Sequence, residues 1–96
     1  MFKIIFTTTF ISHKEKVVGD DEVLNKRLKT ALQKLATNPL FPSLRSHKVT
    51  TPDYGERWSS WVTGDIRIIW DYDKEKRLLI LLLDIGGHSG KHKVYK

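Results

Sequence analysis

Residues 57–72, RWSSWVTGDIRIIWDY, contain two strand-like runs separated by a turn signal. Aromatic and β-branched residues are frequent in residues 57–63 and again in residues 66–72, as is typical of β-strands. Between the runs stands the pair Gly64-Asp65, which suits a tight two-residue turn. The segment therefore predicts an antiparallel hairpin within a β-sheet.

Side chains in the second run alternate between apolar residues and a single cation. Successive side chains of a strand point to opposite faces of the sheet. Arg67 is therefore expected to face away from a set of four apolar residues, which comprises Ile66, Ile68, Trp70 and Tyr72. If that set packs inward, the guanidinium of Arg67 lies on the other face of the sheet.

Further strands are expected on both sides of this hairpin. Residues 2–7 and 44–49 predict short strands, a polar turn follows at residues 73–76, and residues 93–95 predict a terminal strand. Residues 78–85 are almost uninterruptedly apolar, which favours a central strand covered on both faces. Two helices cannot cover both faces, so strand curvature, the C-terminal segment or another chain must close part of the second one.

Two helices are predicted before the hairpin. Residues 10–18 predict a short helix that stops near Gly19, and Asp20 is the expected N-cap of a longer helix. The longer helix is expected to end at Asn38-Pro39. Its apolar stripe consists of Leu24, Leu28, Ala31, Leu32 and Leu35.

Length and composition limit the class of protein. A chain of 96 residues predicts one α+β domain over residues 1–96, with at most two layers of secondary structure. It has no cysteine, so neither a disulfide framework nor a thiolate metal site is expected. No secretion signal or membrane span is recognisable, which predicts a soluble cytoplasmic protein.

The charge of the chain is positive and unevenly distributed. Seventeen Lys and Arg against eleven Asp and Glu give a net charge of +6, while residues 23–52 and 87–96 contain no acid. Such segments favour a polyanionic partner, either nucleic acid or an acidic protein. A basic surface that serves only solubility fits the composition equally well.

Several side chains on the predicted sheet and its loops could act in metal-independent RNA cleavage. That reaction needs a base, an acid and a fixed positive charge beside the phosphate, and two histidines and an arginine can supply these. An aromatic ring such as that of Trp61 or Tyr95 could hold a nucleobase of the RNA by stacking. Plainer roles stay open: His47 as a surface histidine, Arg67 as the partner of an acid, and Tyr95 as a packing residue.

One spacing near the end of the sequence is typical of a metal site on a helix. Asp84, His88 and His92 recur every four residues, as ligands on one helical face would. Gly86, Gly87 and Gly90 interrupt such a helix, and no metal or other cofactor is predicted.

Three segments resemble, in order, the signature segments of RelE/ParE-superfamily toxins, and YafQ-like members most closely. They are residues 38–49 (NPLFPSLRSHKV), 61–73 (WVTGDIRIIWDYD) and 82–95 (LLDIGGHSGKHKVY). The resemblance implies two N-terminal helices packed on a curved, mainly antiparallel sheet of four to five strands. It also implies a ribosome-dependent mRNA endoribonuclease that a cognate antitoxin neutralises. Because two helices cannot shield the apolar strand at residues 78–85, an acidic segment of the antitoxin is expected to bind across the basic and apolar sheet face.

The resemblance also assigns residues. The implied catalytic set is His47, Asp65, Arg67, His88 and Tyr95, in which His47 and His88 share the proton transfers. By their charge or their aromatic rings, the residues expected to bind RNA are Arg45, Lys48, Arg57, Trp61, Lys91, His92 and Lys93. Lys48 is expected to join Arg67 in stabilising the phosphorane. Trp61 stands where YafQ-like toxins carry a further histidine, and the segment from His88 to Tyr95 is about three residues longer than in common relatives. Either His88 or His92 could therefore face the substrate.

Two other functions fit the same resemblance. A ParE-like gyrase inhibitor would use the fold as a binding module, although inhibition requires no histidines for proton transfer. A catalytically decayed protein that only binds its antitoxin is the other alternative.

Overall fold

The computed structural model describes residues 2–73 and 79–87, which form two helices and a five-stranded sheet. The elements are β1 (Lys3–Phe6), α1 (Thr8–Val17), α2 (Glu22–Thr37), β2 (His47–Thr51), β3 (Gly55–Trp61), β4 (Ile66–Tyr72) and β5 (Leu79–Gly87). The strand order is β1-β5-β4-β3-β2, in which only β1 and β5 are parallel. The predicted α+β fold is confirmed, and β5 is an interior strand as its apolar sequence indicates. No helix in the described part of the chain is long and apolar enough to cross a membrane.

Side-chain caps fix where the two helices begin. The Thr7 hydroxyl donates to the carbonyl of Leu82 (2.6 Å) and accepts from the amide of Phe10 (3.2 Å), so α1 starts earlier than predicted. Asp21, not Asp20, caps α2 by accepting from the amide of Leu24 at 3.0 Å. The prediction of Asp20 is wrong by one residue because the chain leaves α1 through Gly19 (φ 53°) and uses Asp20 in the turn.

The core lies between the helices and one face of the sheet. Its buried residues include Phe10 and Val18 around α1, Leu28, Ala31 and Leu35 on α2, and Ile66, Ile68, Trp70, Ile80, Leu82 and Ile85 on the sheet. The apolar stripe predicted for the second helix therefore faces the core. Arg67 points away from it, as the alternation in β4 predicts.

The opposite side of the sheet is called the second face here. Register and alternation place on it His47, Ser59, Trp61, Arg67, Ile69 and Asp84. Ser59 and Ile69 are fully buried, and Arg67 and Asp84 are 5% exposed. The second face is thus largely closed within the chain itself.

The β3-β4 hairpin is present, but its turn is wider than the predicted pair. Residues 62–65 connect the strands, and the amides of Val62 and Thr63 both donate to the carbonyl of Ile66. The hydroxyl of Thr63 accepts from the amides of Asp65 and Ile66. Gly64 does not have the positive φ that a tight two-residue turn would require, because the Thr63 hydroxyl stabilises a longer turn.

A buried chain of hydrogen bonds ties the hairpin to the loop before β2. Trp70 Nε1 donates to Ser60 Oγ (2.7 Å), which lies 2.6 Å from Ser46 Oγ. Ser46 donates its own proton to the carbonyl of Pro39 at 2.6 Å, so Ser60 must donate to Ser46. This chain fixes the backbone immediately before His47.

Ser60→Ala is expected to lower the free energy of unfolding by about 1–3 kcal/mol, because it leaves the buried Trp70 N–H without its acceptor. Chemical denaturation measures the change. Ser43→Ala, at an exposed position, is the control and should cost much less. Equal stability of Ser60→Ala and the parent protein would contradict the hydrogen-bond chain.

Candidate functional site

His47 begins β2 and is exposed on the second face. Its Nδ1 lies 2.7 Å from the carbonyl oxygen of Arg45. A carbonyl only accepts, so Nδ1 carries the proton and Nε2 is the basic nitrogen of the neutral ring. A neutral ring held in this tautomer can accept a proton at Nε2.

Arg45 is an exposed residue two positions before His47. It follows the short 3-10 turn Pro42–Leu44, and its amide donates to the carbonyl of Pro42 at 3.1 Å. Its φ of 48° lies in the left-handed region, which is uncommon for a residue with a side chain. The guanidinium carbon lies 4.6 Å from the centre of the Trp61 ring.

Arg67 holds the same ring from the sheet. Its guanidinium carbon is 4.2 Å from the centre of Trp61, its cross-strand partner. Nη1 donates to the carbonyls of Thr63 (2.8 Å) and Ile66 (3.4 Å). Within the described residues its partners are therefore two carbonyls and an aromatic ring rather than an acid. Arg45, Trp61 and Arg67 together are called the Arg-Trp cluster.

Other candidates are not part of this arrangement. Lys48 lies on the helix-packed face, with Nζ 5.3 Å from the centre of the Trp58 ring, so it cannot join Arg67 on the second face. Arg57 forms an ion pair with Asp71, at 3.0 Å between Nη1 and Oδ2. Asp65 is exposed in the hairpin turn. Outside the described residues lie His88, Lys91, His92, Lys93 and Tyr95, whose roles stay predictions.

Solved structures with the same architecture identify the fold. A metal-bound toxin from Helicobacter pylori is 21% identical and superposes with a TM-score of 0.70, covering 92% of this chain and 96% of its own. The structure of the DinJ-YafQ complex of E. coli is 19% identical with a TM-score of 0.68, and the match covers 92% of this chain and 94% of that one. The structure of the YoeB-YefM toxin-antitoxin complex of Staphylococcus aureus is 14% identical with a TM-score of 0.64, and the match covers 88% of this chain and 93% of that one. The chain has the fold of the YafQ and YoeB toxins. No protein-family model and no curated protein matches it.

This toxin fold confirms the resemblance to RelE/ParE-superfamily toxins at the level of the architecture. The alignments span nearly the whole of both chains, so the shared fold includes the helices as well as the sheet. In the described residues, no group of three or more His, Asp or Glu side chains is arranged to hold a metal ion.

One polar cluster on the toxin fold was missed by the sequence analysis. His13 Nδ1 on α1 lies 2.5 Å from Asp84 Oδ1 on β5, and Tyr54 donates its hydroxyl to the carbonyl of Leu83 at 3.3 Å. Burial and the nearby Asp84 carboxylate raise the pKa of the Tyr54 hydroxyl, which keeps it a donor. The signal was the acid inside the apolar run of β5, because a buried carboxylate needs a partner.

Proposed function

We propose that the chain is the toxin of a type II toxin-antitoxin system and cleaves mRNA on the ribosome, in the cytoplasm. The observation that carries the proposal is the position of His47 beside the Arg-Trp cluster. His47 pairs with Ser59 across the strands, and Trp61 is the next residue of β3 on the same face. A basic nitrogen, two guanidiniums and an aromatic ring thus lie on the same side of the sheet.

The proposed chemistry uses the ribose of the RNA as nucleophile. Nε2 of His47 takes the proton of the 2′-hydroxyl, and the oxygen attacks the adjacent phosphorus. The bond to the 5′-oxygen breaks, that oxygen receives a proton, and the products end in a 2′,3′-cyclic phosphate and a 5′-hydroxyl. His88 is the proposed acid, which predicts a bell-shaped dependence of the rate on pH.

The two arginines have different proposed roles. Arg45 is exposed and can contact the phosphate directly, and its guanidinium plane over Trp61 offers a platform on which a base can stack. Arg67 is buried and held by carbonyls, so it contributes a charge that needs no reorganisation during the reaction. A base that stacks directly on the ring of Trp61 would have to displace Arg45.

Induced expression in a bacterial host, followed by separate assays of translation and of DNA supercoiling, tests the proposal. We expect translation to stop within minutes while supercoiling is unchanged. Relaxed or linearised DNA with continuing translation would favour a gyrase inhibitor, and normal growth would favour a protein that only binds its antitoxin. Either of these results would overturn the nuclease.

An acidic antitoxin is the proposed partner, since two of the structures with this fold are complexes with YefM and DinJ. The second face was the expected contact, but its central residues are already buried in the isolated chain. A groove of about 710 Å³ between α1 and α2 is a better place for apolar anchors. Phe6, Ile11, Leu28 and Leu32 line it. One acid, Glu15, and two cations, Lys14 and Lys29, lie among its other lining residues, and the two cations could pair with acids of the antitoxin.

Ile11→Glu is expected to prevent the antitoxin from reversing growth inhibition, because it places a charge in the apolar groove. Ile11 is 48% exposed, so the fold should tolerate the change. Val23→Glu on α2, which does not line the groove, is the matched control and should remain neutralised. Full neutralisation of the Ile11 variant would rule out the groove as the docking place.

Arg45→Gly and Arg45→Ala form a matched pair, since both remove the guanidinium but only glycine adopts a φ of 48° without strain. Both variants should cleave mRNA at least about tenfold more slowly than the parent protein, by the usual size of a charge-assisted contact. Arg45→Gly should be more stable than Arg45→Ala by about 1 kcal/mol in thermal unfolding. Parent-like cleavage by either variant would remove Arg45 from the site.

A further inference from the structure

A second basic site lies outside the second face, between α2 and the loop that precedes β2. It is a pocket of about 340 Å³, called the α2 pocket here. Its walls are formed by Lys26, Arg27, Thr30, Ala31, Lys34, Ser43, Leu44, Trp61 and Val62. Its three cationic side chains, Lys26, Arg27 and Lys34, take no part in the proposed cleavage chemistry.

The lining of the α2 pocket suits an anion. Three cationic side chains and two hydroxyl-bearing side chains line it, and no acid is among the lining residues that the structure describes. Lys34 is held in place because Nζ donates to Ser43 Oγ at 2.8 Å and lies 5.1 Å from the centre of the Phe41 ring. A concave site lined by charges of one sign has a stronger electrostatic potential than a surface over which lysines are scattered in solvent.

Trp61 connects the α2 pocket to the proposed cleavage site. It lines the pocket and also contacts the guanidiniums of Arg45 and Arg67. We propose that the α2 pocket binds a phosphodiester group of the same RNA strand, next to the nucleotide held at the Arg-Trp cluster. The inference rests on the proposed function, because it takes RNA as the ligand of the adjoining site.

The arrangement favours RNA over an acidic peptide as the ligand. RNA carries a phosphate at every nucleotide, so a strand held at Trp61 brings a neighbouring phosphate to the pocket without further ordering. Aromatic rings and cations alternating along a groove are typical of sites that bind single strands. An acidic peptide would pair with the cations but has no nucleobase to stack on the Arg45 platform over Trp61.

The test measures binding without cleavage. The full chain is titrated with a fluorescent six-nucleotide RNA whose 2′-hydroxyls are all methylated, so that it cannot be cut, at a series of salt concentrations. Lys26→Ala/Arg27→Ala removes two exposed cations of the pocket, and Lys3→Ala/Lys16→Ala removes two exposed cations that line no pocket described here. Thermal melts establish that both double variants are folded.

We expect the pocket variant to bind at least about tenfold more weakly than the parent. The slope of log affinity against log salt should fall by about 0.7, as for one lost contact to a single-strand phosphate. The control variant should keep the parent slope. Equal losses in both variants, or no loss in the pocket variant, would overturn the site.

A polyglutamate peptide provides the opposing arm of the test. If the pocket variant loses affinity for the peptide but not for the RNA, the pocket serves an acidic protein and the inference is wrong. Binding is read without catalysis, so the absence of cleavage by the parent protein on ribosomes would refute the proposed nuclease and not the phosphate site.

Discussion

His47→Ala is expected to slow single-turnover mRNA cleavage on programmed ribosomes by about a hundredfold to ten-thousandfold, the usual size of general base catalysis. The carbonyl of Arg45 fixes the proton of His47 on Nδ1 and so makes Nε2 the base. The rate of the variant should also no longer fall as the pH is lowered, because the group whose protonation stops the reaction is absent.

His13→Ala is the control for loss of a histidine. His13 pairs with Asp84 and is not placed in the proposed chemistry, so its replacement should leave the pH dependence of cleavage unchanged. His47→Gln, which keeps a polar side chain of similar size, should be as slow as His47→Ala. Cleavage at the parent rate by both His47 variants would show that another group takes the proton.

Arg67→Ala is expected to reduce cleavage by about a hundredfold to a thousandfold, as for loss of one preorganised transition-state contact. The loss has two sources: the fixed positive charge disappears, and Trp61 loses the buried guanidinium packed at 4.2 Å. Because Arg67 is 5% exposed and packs on Trp61, we also expect reduced stability, so rates must be measured well below the melting temperature.

Two further variants separate charge from packing at this position. Arg67→Met keeps most of the apolar stem but not the charge, and should be nearly as slow as Arg67→Ala. Arg67→Lys keeps the charge but not the planar fork, and should recover only part of the rate. Arg57→Ala removes an arginine that is already paired with Asp71, so a severalfold change at most is expected. A fast Arg67→Met variant would mean that the residue only supports the fold.

The core of the fold could be predicted because periodic patterns determine it. Alternation in β4 placed Arg67 opposite Ile66, Ile68 and Trp70, and helical spacing in α2 gave the stripe that packs on them. The caps and the hairpin turn were less accessible. Asp20 and Asp21 are equivalent as N-caps by residue type, and the choice depends on how Gly19 turns the chain. The width of the hairpin depends on hydrogen bonds to Thr63 that no pattern encodes.

The candidate site was only partly predictable, because it depends on register. Lys48 and His47 are neighbours in sequence, yet a strand sends them to opposite faces. The predicted strand at residues 44–49 starts earlier than β2, and the left-handed conformation of Arg45 is what turns its side chain toward Trp61. The His13-Asp84 pair joins residues 71 positions apart, which only the tertiary fold brings together.

Cleavage of an mRNA with one 2′-deoxyribonucleotide at the cut position tests the central claim most directly. The parent protein is mixed with ribosomes programmed with the all-ribose or the substituted message, and the new ends are mapped and their chemistry determined. We expect the all-ribose message to be cut to a 2′,3′-cyclic phosphate and a 5′-hydroxyl, and the substituted message to stay intact at that position. Equal cutting of both messages, or none of either, would contradict cleavage by the 2′-hydroxyl at His47 and the Arg-Trp cluster.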